Sequence, residues 1–134
     1  MDTGKSALGL DGNVAAALGY PIGILAIICL IMEKENRFVK FHALQSILLH
    51  VSYIVVMIAV WLIGIVLAIA GMAAAAATDS GALGGLMGML FGLIWLVVIV
   101  SYIGGLIYAA VKAYGGNDFK LPIIGNMAEK FANK

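Results

Sequence analysis

The feature that most constrains the fold is a long stretch, residues 41–77, that contains no formally charged side chain. A helix over this stretch, at about 1.5 Å per residue, is longer than the ~30 Å hydrocarbon core of a bilayer. The whole chain shares this character, with 63% hydrophobic residues and a mean hydropathy of +1.09. Soluble domains carry roughly 25% charged residues, whereas this chain carries 11%. The sequence therefore predicts an integral membrane protein.

Two further apolar runs flank this stretch. Residues 14–32 contain no charge and are long enough to cross a bilayer, with Pro21 near the middle expected to kink the helix. Residues 83–114 carry no charge before Lys112, and a polar break at 78–81 precedes them. We therefore predict an all-α integral membrane protein in a single domain, 1–134. Its three long transmembrane helices are expected at about 14–32, 43–72 and 84–112.

The C-terminal tail differs from these runs. The sequence G-G-N-D at 115–118 ends the third helix, and residues 122–132 repeat apolar side chains at helical spacing. This pattern predicts a C-terminal amphipathic helix that lies on the membrane surface. With three spans, Lys5 is the only basic residue on the side of the N-terminus. The positive-inside rule then predicts a multi-pass protein of a bacterial inner membrane, with the N-terminus outside and the C-terminus cytoplasmic.

Polar side chains cluster where the second predicted helix begins: His42, Gln45, Ser46, His50 and Tyr53. Polar groups inside a membrane are costly, so each is a candidate for function. The plainer interpretation is a set of hydrogen bonds between helices. The functional alternatives are a proton path, a substrate contact, or an axial ligand of a pigment or haem. His50 lies deepest and is the candidate ligand of haem or (bacterio)chlorophyll; the other candidate bound molecule is a lipid.

Several classes of function find no support in the sequence. The predicted spans contain no carboxylate, which argues against a proton pump or a cation-coupled transporter. No His, Cys, Asp and Glu set has zinc spacing, and no phosphate-binding loop or catalytic triad is recognisable. The net charge of +1 gives no field that attracts nucleic acid. We therefore predict a non-enzymatic protein with no catalytic residue and no metal site.

Small residues recur every four positions in two of the predicted helices. One stripe includes Gly19 and Gly23, and the stronger one includes Gly84, Gly88 and Gly92. Such stripes allow close approach of two helices. They predict helix packing, either within the chain or in a homo-oligomer.

Two motifs carry a resemblance to a known family. They are F-V-K-F-H-A-L-Q-S at 38–46 and A-Y-G-G-N-D-F-K-L-P-I-I-G-N-M-A-E-K at 113–130. The predicted topology places residues 36–45 and 119–125 on one face of the membrane, where they would form either a rigid cap on the helices or a docking surface. Together the two motifs resemble a family of small prokaryotic membrane proteins that is similar to the twenty-kilodalton membrane subunit of the chloroplast Tic translocon. The resemblance implies a helical membrane protein with a role in protein translocation. The signature positions are Arg37, Phe38, Phe41, His42, Ala43, Gln45, Phe119, Pro122, Ile124 and Gly125.

Two functional hypotheses follow. The first is a non-enzymatic accessory or structural subunit of a larger membrane complex, for example a photosynthetic or respiratory one. Its partners would be membrane lipids and larger membrane-protein subunits. The alternative is a channel-like component of protein translocation or transport, as the resemblance implies.

Overall fold

The computed structural model describes residues 3–78 and 80–133, and these residues form five helices. They are α1 (Gly12–Gly19), α2 (Gly23–Met32), α3 (Arg37–Thr78), α4 (Ala82–Tyr114) and α5 (Ile124–Ala132). Apart from an isolated bridge between Lys5 and Asp11, the described residues contain no β-structure. The predicted all-α class is therefore confirmed.

Two helices are long and apolar enough to cross a membrane. Helix α3 has 42 residues and α4 has 33, and their most apolar windows have mean hydropathies of 2.9 and 2.5. These helices correspond to the spans that we predicted at 43–72 and 84–112. The number of spans that we predicted is wrong, because the structure has two candidate spans and not three.

The first apolar run fails to cross because the helix breaks at Pro21. Helices α1 and α2, with 8 and 10 residues, are about 12 and 15 Å long, whereas the hydrocarbon core is about 30 Å thick. The two helices fold against each other, since a Cβ added to Gly19 would lie 3.5 Å from the Cβ of Ala26. Proline therefore ends one helix and lets the chain turn back, and we call α1 and α2 the N-terminal re-entrant hairpin.

Hydrogen bonds fix where this hairpin enters and leaves. The side-chain amide of Asn36, just before α3, donates to the carbonyl oxygen of Thr3 at 2.8 Å. The side-chain amide of Asn13 in α1 donates to the carbonyl oxygen of Tyr114 at 2.8 Å. The N-terminal segment, the start of α3 and the end of α4 therefore meet at one end, which we call the polar end. This arrangement, with two candidate spans, gives no support to the predicted orientation, in which the N-terminus is outside and the C-terminus cytoplasmic.

The chain forms two compact units. The first contains Met1–Ser52 and Ile103–Lys134, and the second contains Tyr53–Tyr102. The core of the first unit is built from small side chains, which let α1 and α2 approach α3 and α4 closely. They are Ala15, Ala16, Ala26, Cys29, Ala43, Ala109 and Ala113.

The described part of the second unit consists of the remaining turns of α3 and α4 and their short connection. The helices come closest at Gly71, where an added Cβ would lie 3.5 Å from the Cα of Gly84. The ring of Phe91 lies over Gly64, and the rings of Tyr53 and Tyr102 stack with centroids 3.7 Å apart. Most large apolar side chains of this unit are exposed. Such a surface is suited to lipid or to a membrane partner.

Candidate functional site: a buried polar clasp

Four polar side chains of the first unit are completely buried next to one another: Tyr20, His42, Gln45 and Ser46. We call this group the polar clasp. Three of its members lie within two turns of α3, and Tyr20 comes from the break between α1 and α2. The clasp therefore lies where the re-entrant hairpin meets the first long helix.

Gln45 holds the C-terminal segment of the chain. Its Nε2 donates to the carbonyl oxygen of Phe119 at 3.0 Å, and its Oε1 accepts from the N–H of Leu121 at 2.9 Å. The same Nε2 also donates to the hydroxyl of Tyr20 at 2.7 Å. Both Nε2 protons are thus used, and one amide joins the hairpin to residues 119–121. No side chain shorter than Gln could reach all three groups from this helix position.

The hydrogen bonds of His42 require a neutral imidazole in one tautomer. The Nε2 of His42 lies 3.1 Å from the carbonyl oxygen of Asn117, which can only accept, so Nε2 carries the proton. The Nδ1 then accepts from the hydroxyl of Tyr20 at 3.0 Å. That hydroxyl also accepts from Gln45, so every one of these donors in the polar clasp has an acceptor. The clasp is therefore a closed network.

Ser46 and His50 support the break in the re-entrant hairpin. The hydroxyl of Ser46 donates to the carbonyl oxygen of Gly19 at 2.8 Å, which satisfies an acceptor at the end of α1. The Nδ1 of His50 donates to the carbonyl oxygen of Ser46 at 2.8 Å. A Cβ added to Gly23 would lie 3.3 Å from Nε2 of His50. The nitrogen that a haem or chlorophyll would need therefore faces α2, and α2 would have to move to admit such a ligand.

The second motif forms a tight turn that returns the chain toward the polar end. The N–H of Ile124 donates to the carbonyl oxygen of Pro122 at 2.7 Å. Ile123 between them has φ of 67°, a conformation that is rare for a β-branched residue. Directly after the turn, Gly125 is buried against Gln45 and Lys120, where an added Cβ would come within 2.8 Å of Gln45 Oε1. A glycine is therefore required at this position.

Helix α5 packs along the first turns of α3. Its small residues Ala128 and Ala132 lie against Phe41. Near its end, Glu129 accepts from Lys120 at 2.8 Å and lies 3.7 Å from Arg37. The hydrogen bond from Lys120 lowers the pKa of the Glu129 carboxyl from its ordinary value. The predicted helix at 122–132 is thus present, but it runs back along α3 and does not lie flat across the end of the helices.

The structure brings the two signature motifs together. Phe38 and Phe41 pack around the ring of His42, with centroids 4.5 and 5.0 Å away. Phe119 supplies a carbonyl oxygen to Gln45, and its ring packs on Tyr108. Pro122 and Ile124 form the turn. The glycines predicted to pack helices fall into two groups. Gly19, Gly23 and Gly84 lie close to other groups of the chain, whereas a Cβ on Gly88 or Gly92 would meet nothing within 4 Å.

No role was assigned from the sequence to two polar residues that organise the polar end, Glu33 and Asn36. The carboxylate of Glu33 accepts from the N–H groups of Ala7 and Asn36, at 2.8 and 3.1 Å. Asn36 also accepts from the N–H of Val39, which caps α3. The only sequence signal was the position of Asn36 just before a long apolar helix, where capping residues are common.

The polar side chains of the site are paired. Among the described residues, every buried side-chain nitrogen and oxygen has a hydrogen-bond partner. Within the same residues, no three His, Cys, Asp or Glu side chains lie close enough together to hold a metal ion. A cavity of about 810 Å³ opens at the polar end between residues 3–7 and 32–38. Its charged lining balances, with Lys5, Lys34 and Arg37 against Glu33, Glu35 and Asp118.

Together, the two apolar helices, the re-entrant hairpin and the closed polar clasp define a small helical membrane protein whose polar residues serve its architecture. Comparison with known proteins agrees with this class. Residues 7–128 match the MamF/MmsF family, described as the magnetosome magnetite crystal formation protein family, and the chain belongs to it. No solved structure matches the chain.

Three relatives are archaeal UPF0132 membrane proteins. One from Methanocaldococcus jannaschii is 36% identical over 130 residues, covering 96% of each chain. One from Archaeoglobus fulgidus is 36% identical over 119 residues, covering 88% of this chain and 92% of its own. A second from M. jannaschii is 32% identical over 126 residues, covering 93% of this chain and 73% of its own.

These matches correct the resemblance drawn from the two motifs. The family shown is MamF/MmsF, and none of the matches supports a likeness to the Tic translocon subunit, so that prediction is wrong. The clasp explains why the motifs misled. The residues of the two motifs pack residues 117–125 against α3. Such residues report how the chain packs, and packing alone does not determine function.

Proposed function

We propose that the protein is a non-enzymatic structural subunit of a larger membrane assembly. The observation that carries this proposal is the closed network of the polar clasp. Tyr20, His42 and Gln45 bond to one another and to the main chain of residues 117–121. An active site needs polar groups that can reach a substrate, whereas these groups are buried and paired. Their role in the proposal is to hold a rigid body within the membrane.

The second unit offers the surface for partners. Gly88 and Gly92 have open space where a side chain would be, and Trp61 is 61% exposed. In a membrane, exposed glycines let another helix approach closely and gain van der Waals contact. The proposed partners are larger membrane subunits or a second copy of the chain, with lipid covering the remainder.

The description of the family supports one kind of membrane assembly in which the protein would be a subunit. It names magnetite crystal formation in magnetosomes, which is growth of an iron mineral beside a membrane. Because the described residues assemble no metal-holding group, the role proposed here is organisation of the membrane and its proteins rather than binding of iron. The polar end is proposed to face the cytoplasm, because all the described basic residues belong to the unit that forms it.

The test is purification from the native membrane in mild detergent, with subunit stoichiometry by mass spectrometry and an absorption spectrum of the same fraction. We expect the protein to co-migrate with larger membrane proteins in a fixed ratio. Replacing Gly88 and Gly92 by Leu should release it from them, because the new side chains fill the approach surface without touching the rest of the chain. The matched control is Gly104→Leu, also in open space but outside the stripe.

Three outcomes separate the alternatives. Release of the double variant, with the control retained, supports the proposed surface. A wild-type chain that runs alone, without partners, contradicts a subunit role. Pigment or haem absorbance that disappears with His50→Leu would favour an energy-converting host and would also require α2 to move away from His50.

A further inference from the structure

The chain contains two segments that leave the polar end, run along α3 and return, and both turn at a Pro-Ile pair. The first is the N-terminal re-entrant hairpin, which turns at Pro21 and Ile22. The second, residues 117–132, turns at Pro122 and Ile123, and we call it the C-terminal re-entrant segment. The isoleucines at the turns are exposed, Ile22 by 49% and Ile123 by 79%.

Both segments enter and leave at the polar end. The first begins beside Tyr114 and ends at Glu33, whose carboxylate bonds to the N–H of Ala7. The second begins at Asn117, bonded to His42, and returns at Glu129, paired with Arg37. Neither segment therefore contributes a crossing of the membrane.

The residues of α3 that each turn contacts show how far the two segments extend from the polar end. The first turn lies against His50, and the second lies against Gln45. These residues are about 20 Å and about 12 Å along α3 from Arg37, at a rise of about 1.5 Å per residue. Half of the hydrocarbon core is about 15 Å. With Arg37 at the edge of the hydrocarbon core, the first turn lies just past the middle of the bilayer, and the second, beside the Lys120–Glu129 ion pair, lies within the leaflet of the polar end.

The outer surface of both segments is suited to lipid. Ile24 and Ile31 of α2 are 72% and 73% exposed, and Met127 of α5 is 44% exposed. Positive side chains lie at the other end of the same unit, including Lys34, Lys40 and Lys130. An apolar surface next to a charged end, here one with both cations and carboxylates, is complementary to acyl chains below the headgroups. The occupant of this surface is therefore the lipid of one leaflet.

We propose that the protein prefers curved membranes in which the leaflet at its polar end is on the convex side. The crossing helices α3 and α4 displace lipid from both leaflets. The two re-entrant segments displace lipid mainly from the leaflet at the polar end, which expands that leaflet relative to the other. Expansion of one leaflet lowers the free energy of bending toward it, and amphipathic insertions bind in a curvature-sensitive way for this reason.

The test uses the full chain, with a fluorophore at its C-terminus, in giant vesicles of phosphatidylcholine and phosphatidylglycerol. A narrow tether is pulled from each vesicle, and the protein density in the tether is compared with that in the nearly flat vesicle. An impermeant quencher reports whether the polar end faces outward. We expect severalfold enrichment in the tether for the outward orientation and depletion for the inward one.

A pair of matched variants tests the cause. Ile123→Ala with Met127→Ala removes exposed bulk from the C-terminal re-entrant segment, and we expect weaker enrichment in the tether. Ile69→Ala with Leu96→Ala removes similarly exposed bulk from the crossing helices and should leave enrichment unchanged. Equal density in tether and vesicle for both orientations, or the same sign for both, would overturn the proposal. So would a fluorophore at position 123 that acyl-chain quenchers cannot reach.

Discussion

Gln45→Leu is expected to lower the free energy of unfolding by about 3–6 kcal/mol, the largest effect of any single substitution that we predict. The change keeps the size of the side chain but removes three hydrogen bonds. It leaves the carbonyl oxygen of Phe119 and the N–H of Leu121 without a partner, and it removes one of the two hydrogen bonds of the Tyr20 hydroxyl, which still donates to His42. Each buried polar group left unpaired costs about 1–3 kcal/mol.

The measurement is reversible unfolding of the purified protein in mixed detergent micelles, followed by circular dichroism. Ser101→Ala, an exposed polar-to-apolar change on α4, is the control and should stay within about 0.5 kcal/mol of wild type. Limited proteolysis gives a second readout, because release of residues 117–121 should expose the C-terminal segment to cleavage. Wild-type stability for Gln45→Leu would show that the clasp does not hold the segment.

Gly125→Ala is expected to destabilise the protein by about 1–3 kcal/mol, the usual cost of forcing extra atoms into a filled site. The added Cβ would lie 2.7 Å from the Cβ of Lys120 and 2.8 Å from its Cα. These atoms belong to or adjoin the main chain and cannot swing away. The turn at Pro122 and Ile123 would therefore have to shift, which also weakens the hydrogen bonds to Gln45.

The same substitution at Gly88 is the matched control. A Cβ there meets nothing within 4 Å, and the residue lies inside α4. Gly88→Ala should therefore raise stability by about 0.5–1 kcal/mol, because alanine has the higher helix propensity. Thermal unfolding of the two variants side by side gives opposite signs if the close approach at Gly125 is correct. A neutral Gly125→Ala would place α5 farther from Gln45.

The two crossing helices could be predicted from sequence because hydropathy is a sum over many residues. The predicted spans 43–72 and 84–112 lie within the observed α3 and α4. Their ends were less accurate, since α3 begins at Arg37, where Asn36 caps it. Arg37 and Lys40 lie in the first turn of α3, and these charges place the start of the apolar stretch after the start of the helix. The capping residue Asn36 marks the true start.

Hydropathy could not show whether the first apolar run, residues 14–32, crosses the membrane. It measures how apolar the run is and does not show whether the chain turns back at Pro21. A single span and a re-entrant hairpin bury the same residues in lipid. What decides between them is the satisfaction of main-chain groups at the break, and here Ser46 supplies the bond to Gly19. That partner lies 27 positions away in sequence.

The distribution of basic residues favoured three spans for a related reason. Two or four simple crossings would separate Lys34, Arg37 and Lys40 from the basic tail. A re-entrant first segment removes that difficulty, because the N-terminus, the 33–36 loop and the tail then share one end. Two crossings with a re-entrant hairpin place Lys5 there as well, which satisfies the positive-inside rule more completely.

The polar cluster at the start of α3 was visible in the sequence, but its partners were not. His42, Gln45 and Ser46 bond mainly to main-chain atoms of Gly19, Asn117, Phe119 and Leu121, and a main-chain atom has no sequence signature. The position of the site could therefore be predicted from the sequence, but the hydrogen-bond partners of its side chains could not.

The most direct measurement is labelling of single cysteines from each side of the membrane with an impermeant maleimide, in a Cys29→Ala background. The positions are Lys5→Cys, Ser80→Cys and Asn133→Cys, read in intact cells and in inverted vesicles. Two crossings with a re-entrant hairpin predict that positions 5 and 133 label from the same side, and position 80 from the opposite side. Labelling of positions 5 and 80 from one side, with 133 on the other, would contradict this fold and restore three spans.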